Sequence, residues 1–195
     1  TITSGSVSCN AAGLHADNSY IRVFDLANDF SITNGIEIAS IDFGIELSTG
    51  ATGNQPAIVN IYTLSGALEF ANLTLISSES ISIPDQSLSI FNAPIAASIP
   101  ASSVLVVEIF LPDGQTNGNS FFIGSNPDGQ TDPSYIAAAD CGINEITDIA
   151  AVGFPLNQYV INVNAEPVTP SVPLKSWPII LSILLIGSFI FFRMK

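Results

Sequence analysis

Charge is the first thing this chain is short of. Charged residues fill only 11% of its 195 positions, less than half the roughly 25% of an ordinary globular domain. Positive charge is scarcer still: of 4 Lys and Arg, only Arg22 precedes residue 175, the others being Lys175, Arg193 and Lys195. All 17 Asp and Glu lie at or before Glu166, so residues 1–174 carry −16 and the last 21 carry +3. A surface of that sign repels a phosphate backbone, which excludes nucleic acid as a partner. It suits divalent cations or a saline medium. Histidine occurs once, at His15. A Ser-His-Asp site would have to be built on it, and no Gly-x-Ser-x-Gly elbow accompanies it. No long amphipathic stretch of period 3.6 precedes residue 172, so the bulk of the chain does not read as a helical bundle. Disorder is excluded by the wealth of Ile, Val, Leu and Phe.

What is there reads as strand after strand. Tyr20-Ile-Arg-Val-Phe-Asp-Leu26 is rich in β-branched and aromatic residues. Residues 36–47 alternate strongly, with Ile36 and Ile38 in one phase and Ile41, Phe43, Ile45 and Leu47 in the other. That slip predicts a β-bulge at Ala39-Ser40, which re-aims the strand and keeps its apolar set inside. Residues 58–64, 73–76, 80–83, 104–110, 120–123, 150–154 and 159–163 are further candidates, separated by turn-forming sequences such as Pro112-Asp-Gly114 and Asn126-Pro-Asp-Gly129. About nine short strands at this spacing predict an all-β protein, an antiparallel β-sandwich of jelly-roll-like or immunoglobulin-like kind, over residues 1–163.

The end of the chain is different. Residues 177–192 contain no charge and are followed by Arg193-Met194-Lys195. At 1.5 Å per residue they make a helix of roughly 24 Å, and extension back to Val172 lengthens it toward the ~30 Å of a hydrocarbon core. The reading is one C-terminal transmembrane helix over 175–195, with Trp177 at one interface and Arg193 and Lys195 at the cytoplasmic end. The sandwich then faces the periplasm or the extracellular space. Between them, residues 164–174 hold three prolines and read as an extended linker.

Val172-Pro-Leu-Lys-Ser-Trp177, the apolar run and the basic end together resemble the tripartite C-terminal sorting signals of exported bacterial proteins, the Ile-Pro-Thr-Leu type in particular. The chain departs from that type at the Thr and at the acidic residue before the Trp. The resemblance implies a bacterial surface protein, single-pass, whose tail is removable on transfer to its final site. Residues 122–142, with Tyr20–Leu26 and Asn60-Ile-Tyr62, are similar to a β-sandwich module of exported bacterial surface proteins spanning residues 9–163. That resemblance implies fold and export and carries no activity. Thr1-Ile-Thr-Ser-Gly5 has neither a basic nor an apolar leader region, so an export signal is expected to have been removed already.

Export gives the two cysteines a meaning. Cys9 and Cys141 read as a disulfide in an oxidising compartment, against the alternative of two buried thiols. A zinc-type site is excluded, with one His and no Cys-x-x-Cys.

Few residues offer chemistry. Asp-Gly-Gln-Thr occurs twice, at 113–116 and 128–131. Asp113, Asn117, Asp128 and Asp132 present the carboxylate and amide oxygens that Ca²⁺ takes, although Asp-Gly is also an ordinary turn pair. Arg22, alone in a strand, is expected in a structural ion pair, with a ligand clamp as the alternative. Glu37, Glu46 and Glu108 alternate with apolar neighbours and read as solvent faces of strands rather than as a glycosidase pair. The functional expectation is a non-enzymatic, membrane-anchored exported protein. It would serve as a structural or accessory subunit touching lipid and other membrane-protein subunits, with no cofactor except possible Ca²⁺. The alternatives are a surface module that binds glycan or calcium, and a protomer of an extracellular filament.

Overall fold

In a computed structural model the described residues are 1–130 and 132–168. The expected membrane helix, with Trp177, Arg193 and Lys195, and linker residues 169–174 lie outside them. Among the described residues no helix is long and apolar enough to cross a membrane.

Fourteen strands follow one another: β1 (Asn10–Ala11), β2 (Leu14–His15), β3 (Asn18–Asp25), β4 (Ile36–Thr49), β5 (Asn54–Leu64), β6 (Leu73–Pro84), β7 (Gln86–Ile99), β8 (Val104–Leu111), β9 (Ser120–Ile123), β10 (Ser125–Asn126), β11 (Ser134–Ala138), β12 (Ile143–Asp148), β13 (Gln158–Tyr159) and β14 (Ile161–Pro167). One sheet has the order β12-β11-β3-β8-β5-β6; the other has the order β14-β4-β7, with β9 also on β4. All of their pairings are antiparallel. The result is a β-sandwich-like, nearly all-β fold. Its core is the alternate residues of both sheets: Tyr20, Phe24, Val59, Ile61, Leu105 and Ile109 from the large sheet meet Ile41, Phe43, Ile45 and Ile95 from the small one.

The bulge read from the slipped alternation is present. Register on β4 shifts between Ile38 and Ser40 against both β7 and β14. Lower down β4, Gly44 bonds to Val160 and Gly124. A Cβ on Gly124 would sit 2.5 Å from the Gly44 carbonyl carbon, so only glycine permits this approach.

Several expectations are corrected. Residues 73–76 and 80–83 are one strand, β6, with Ile76 as the extra residue of a bulge. Residues 150–154 form turns rather than a strand, because Asp148 Oδ1 accepts from Ala150 N–H and turn bonds follow it. Strand β7 was not anticipated: Pro94 and the alanines at 93, 96 and 97 interrupt its strand signal. Residues 164–167, expected in the linker, extend β14 along β4 as far as Pro167↔Ile36. β4 is the only named strand that pairs with β14, so Pro167 sits on a sheet edge, where a missing N–H is tolerated.

Cys9 and Cys141 are joined, with Cα atoms 5.9 Å apart across 132 positions of sequence. The bond ties the N-terminal segment to the turn after β11. On the chain-entropy model so long a loop contributes roughly 4–5 kcal/mol.

Candidate functional site

Strand β3 sets the site. Its core-facing positions are Tyr20, Arg22 and Phe24, so the one cation among the described residues points between the sheets, not into water. Arg22 is 7% exposed. Its Nη1 donates to Gln130 Oε1 and, at 3.1 Å, to the Tyr159 carbonyl of β13. The guanidinium lies 5.2 Å from the centroid of the Phe24 ring, and its Nε is buried without a partner among the described residues. Burial lowers the Arg22 pKa to about 10, opposed by the charges of Asp132 and Tyr135. The group therefore stays cationic at neutral pH.

Among the described residues the oxygens at hydrogen-bond distance from Arg22 are the neutral ones of Gln130 and Tyr159, and the charge of Asp132 acts on it besides. Those two residues belong to a closed circuit. Gln130 Nε2 donates to Ser134 Oγ at 2.8 Å, and the Tyr159 N–H donates to the same oxygen at 2.8 Å. Gln130, Ser134 and Tyr159 thereby tie the loop around Gln130 to β3, β11 and β13. Asn126 holds the start of that loop, its Oδ1 accepting from Asp128 N–H at 3.1 Å.

Around this circuit the surface is concave. A cleft of about 290 Å³ is lined by Arg22, Asn126, Asp128, Gln130, Gln158 and Asn162, with Phe24, Phe30 and Tyr159 beside them. Gln130 and Gln158 also line a neighbouring cleft of about 250 Å³ with Asp132, Asp148, Phe154 and Asn157. On the other side Phe24, Phe30, Ile161 and Asn162 are shared with a cleft of about 300 Å³ that is otherwise apolar, including Leu26, Ile32 and Val163. The three run along the side of the sandwich where β3 and β11 meet β13 and β14. Burial and the neighbouring Asp29, with which it hydrogen-bonds, raise the Asp132 pKa; Arg22 opposes this and Asp25 adds to it. Burial, then Asp132 and Asp148, raise that of Tyr135. The rim is rich in acceptors and amides, and its floor is one guanidinium beside aromatic rings.

The calcium set does not assemble. Register places Leu111 opposite Asn18 and Ser134 opposite Arg22, so Asp113 and Asn117 lie beyond one end of β3 while Asp132 lies toward the other. Asp113 Oδ1 accepts from Gln115 N–H at 2.8 Å, an ordinary turn. Among the described residues no group of three or more His, Cys, Asp and Glu is placed to hold a metal ion. Glu108 also departs from expectation. It is 6% exposed on the outer face of the large sheet, where Asn60 Nδ2 and Tyr62 Oη donate to its Oε2 at 2.9 and 2.7 Å.

His15 does structural duty. It is 1% exposed; its Nε2 lies 3.1 Å from the Pro112 carbonyl, and its backbone bonds to Asn119 and Gly114. Burial lowers its pKa against the pull of those carbonyls and of Asp113. Gln158 and Asn162 were missed in the sequence, since an amide in a strand gives no sign of facing a cleft.

No protein-family model matches the chain, and no curated protein matches it in sequence. Among solved structures it is similar to part of the structure of the cysteine protease and lectin-like domains of Cwp84, a surface-layer-associated protein of Clostridium difficile. That match has a TM-score of 0.51 at 16% identity and covers 79% of this chain and 33% of that one. A second similarity is to the clostridial cysteine protease Cwp84 after propeptide cleavage, with a TM-score of 0.53 at 14% identity, covering 79% of this chain and 37% of that one. The chain spans about a third of each, and at these identities the likeness is one of fold.

Proposed function

We propose that this chain is a surface glycan-binding module: an exported β-sandwich held at a bacterial membrane by its apolar segment 177–192, and acting within a larger surface assembly. Binding, without catalysis, is the task. The observation that carries the reading is the cleft across Arg22, in which amides, carboxylates and aromatic rings converge on one concave surface. Sugar hydroxyls are donors and acceptors at once, and a rim of Gln, Asn and Asp satisfies both roles. Phe24 and Phe30 supply apolar faces of the kind on which a pyranose ring rests. A lectin-like domain occurs in one of the similar chains, which supports the same class of ligand. Anchoring is supported by the charge-free run between Trp177 and Arg193.

A glycan array probed with the full chain in lipid nanodiscs tests the binding. Retention of a defined saccharide, weakened at least tenfold by Gln158→Ala, is the expected result. No retention on any glycan overturns the reading. Resistance of the chain to alkaline extraction from native membranes tests the anchor, and release into the soluble fraction would exclude it.

A further inference from the structure

The glycan reading accounts for the polar clefts and leaves the apolar one unexplained. That cleft adjoins the Arg22 cleft: Phe24, Phe30, Ile161 and Asn162 line both, so a polar and an apolar concavity lie side by side. Phe30 is 43% exposed, and its ring lies 6.1 Å from that of Phe24. An exposed phenylalanine at the junction offers apolar surface that an apolar group placed against it would take out of water. The far lip of the apolar cleft is Pro167, the last residue of β14. From Val168 to Trp177 only eight residues intervene, a reach of no more than roughly 30 Å. If the chain is tethered as proposed, the apolar end of the concavity is held within that reach of the bilayer.

We propose that the joined clefts take a saccharide carried on an apolar chain, with the sugar against Gln130, Gln158 and Asn162 and the apolar part between Phe30, Ile161 and Val163. This rests on the glycan reading and names the class of ligand. The polarity of the concavity matches the ligand along its length. Asp128 lines the Arg22 cleft and Asp132 and Asp148 line the one beside it, with Asp25 and Asp29 acting on Asp132, so carboxylates outnumber the single guanidinium and the sugar is uncharged rather than acidic.

The test is photo-crosslinking of the full chain in phosphatidylcholine nanodiscs. The probes are octyl glycosides of glucose, galactose, mannose and N-acetylglucosamine with a diazirine at the alkyl end, beside a diazirine-octanol without sugar. Labelling of residues 24–36 and 161–167, at least tenfold stronger with one sugar head than with octanol, is expected. Phe30→Ser, at an exposed position, should lower that labelling at least fivefold. Asn162→Ala should reduce the advantage of the sugar head. Equal labelling by octanol, or labelling elsewhere, overturns the inference. The glycan array separates the two readings: an unsubstituted saccharide retained there, with no labelling of the apolar cleft, leaves the glycan reading standing and sinks this one. Silence in both experiments sinks both.

Discussion

The same three residues, Asp-Gly-Gln, stand at 113–115 and again at 128–130, and the two surroundings are opposites. At residues 113–116 the loop is closed: Asp113 turns back on Gln115, and Gly114 packs against the His15 ring so tightly that a Cβ there would meet its Cε1 at 2.4 Å. The Cys9–Cys141 bond lies toward the same end. Around Asp128 and Gln130 the loop is open. Among the described residues nothing lies within 4 Å of where a Cβ on Gly129 would stand, and Gln130 spends its amide on Arg22 and Ser134 while still lining two clefts. A short sequence thus acquires a closed or an open setting from its neighbours. Interior packing fills one loop, and a buried cation that needs acceptors draws the other inward.

Removing the staple should have the largest effect. The double change Cys9→Ser with Cys141→Ser is expected to cost about 4 kcal/mol in urea unfolding. At saccharide concentrations where the protein remains folded, ligand binding at the open end should survive. Next comes the contrast between the two glycines. Gly114→Ala should destabilise by about 1–3 kcal/mol through overpacking against His15, whereas Gly129→Ala should stay within about 0.5 kcal/mol. Equal effects at the two positions would erase the distinction between the loops. Gln130→Ala should cost about 1–3 kcal/mol, because it leaves Arg22 short of an acceptor in a buried place; urea midpoints at constant slope would read it.

The smallest effects are those of pH. Burial holds the folded imidazole of His15 below its ordinary value, so the unfolded chain takes up its proton first, near pH 6.5. Stability is then fully present above pH 6.5 and is lost as pH falls from there through the folded value. His15→Gln should remove that slope from a series of melting curves. The opposite sign holds at the open end. A raised Asp132 pKa means that the folded carboxyl keeps its proton longer, so this group favours folding at acid pH and loses that contribution as pH rises through the folded value. Asp132→Asn should raise the melting temperature slightly at neutral pH.

Much of the fold was legible because period-2 alternation is a local signal. The bulge at Ile38–Ser40 shows in the order of apolar residues before any partner strand is known. β11 and β12 were not legible, since Ser134–Ala138 is short and Asn144-Glu-Ile-Thr-Asp148 is mostly polar. They become strands because Tyr135 and Ile136 find β3 and β12 as neighbours. Of the site, Arg22 was visible as the sole cation, and its acceptors were not. An ion pair is the commonest outcome for a lone arginine in an acidic body, but Gln130 and the Tyr159 carbonyl come to it from 108 and 137 positions away.

Taken by itself, the order of amino acids determined the β-rich class, the pairing partner available to each cysteine, and the division between an acidic body and an apolar, basic-ended tail. These follow from composition and alternation, which act residue by residue. Tertiary structure alone decided that one Asp-Gly-Gln loop would be filled by an imidazole and the other drawn against a guanidinium, and that Phe30 and Asn162 would share a concavity. Burial and hydrogen-bond satisfaction are properties of groups brought together from distant parts of the chain, and only the packed sandwich brings them together.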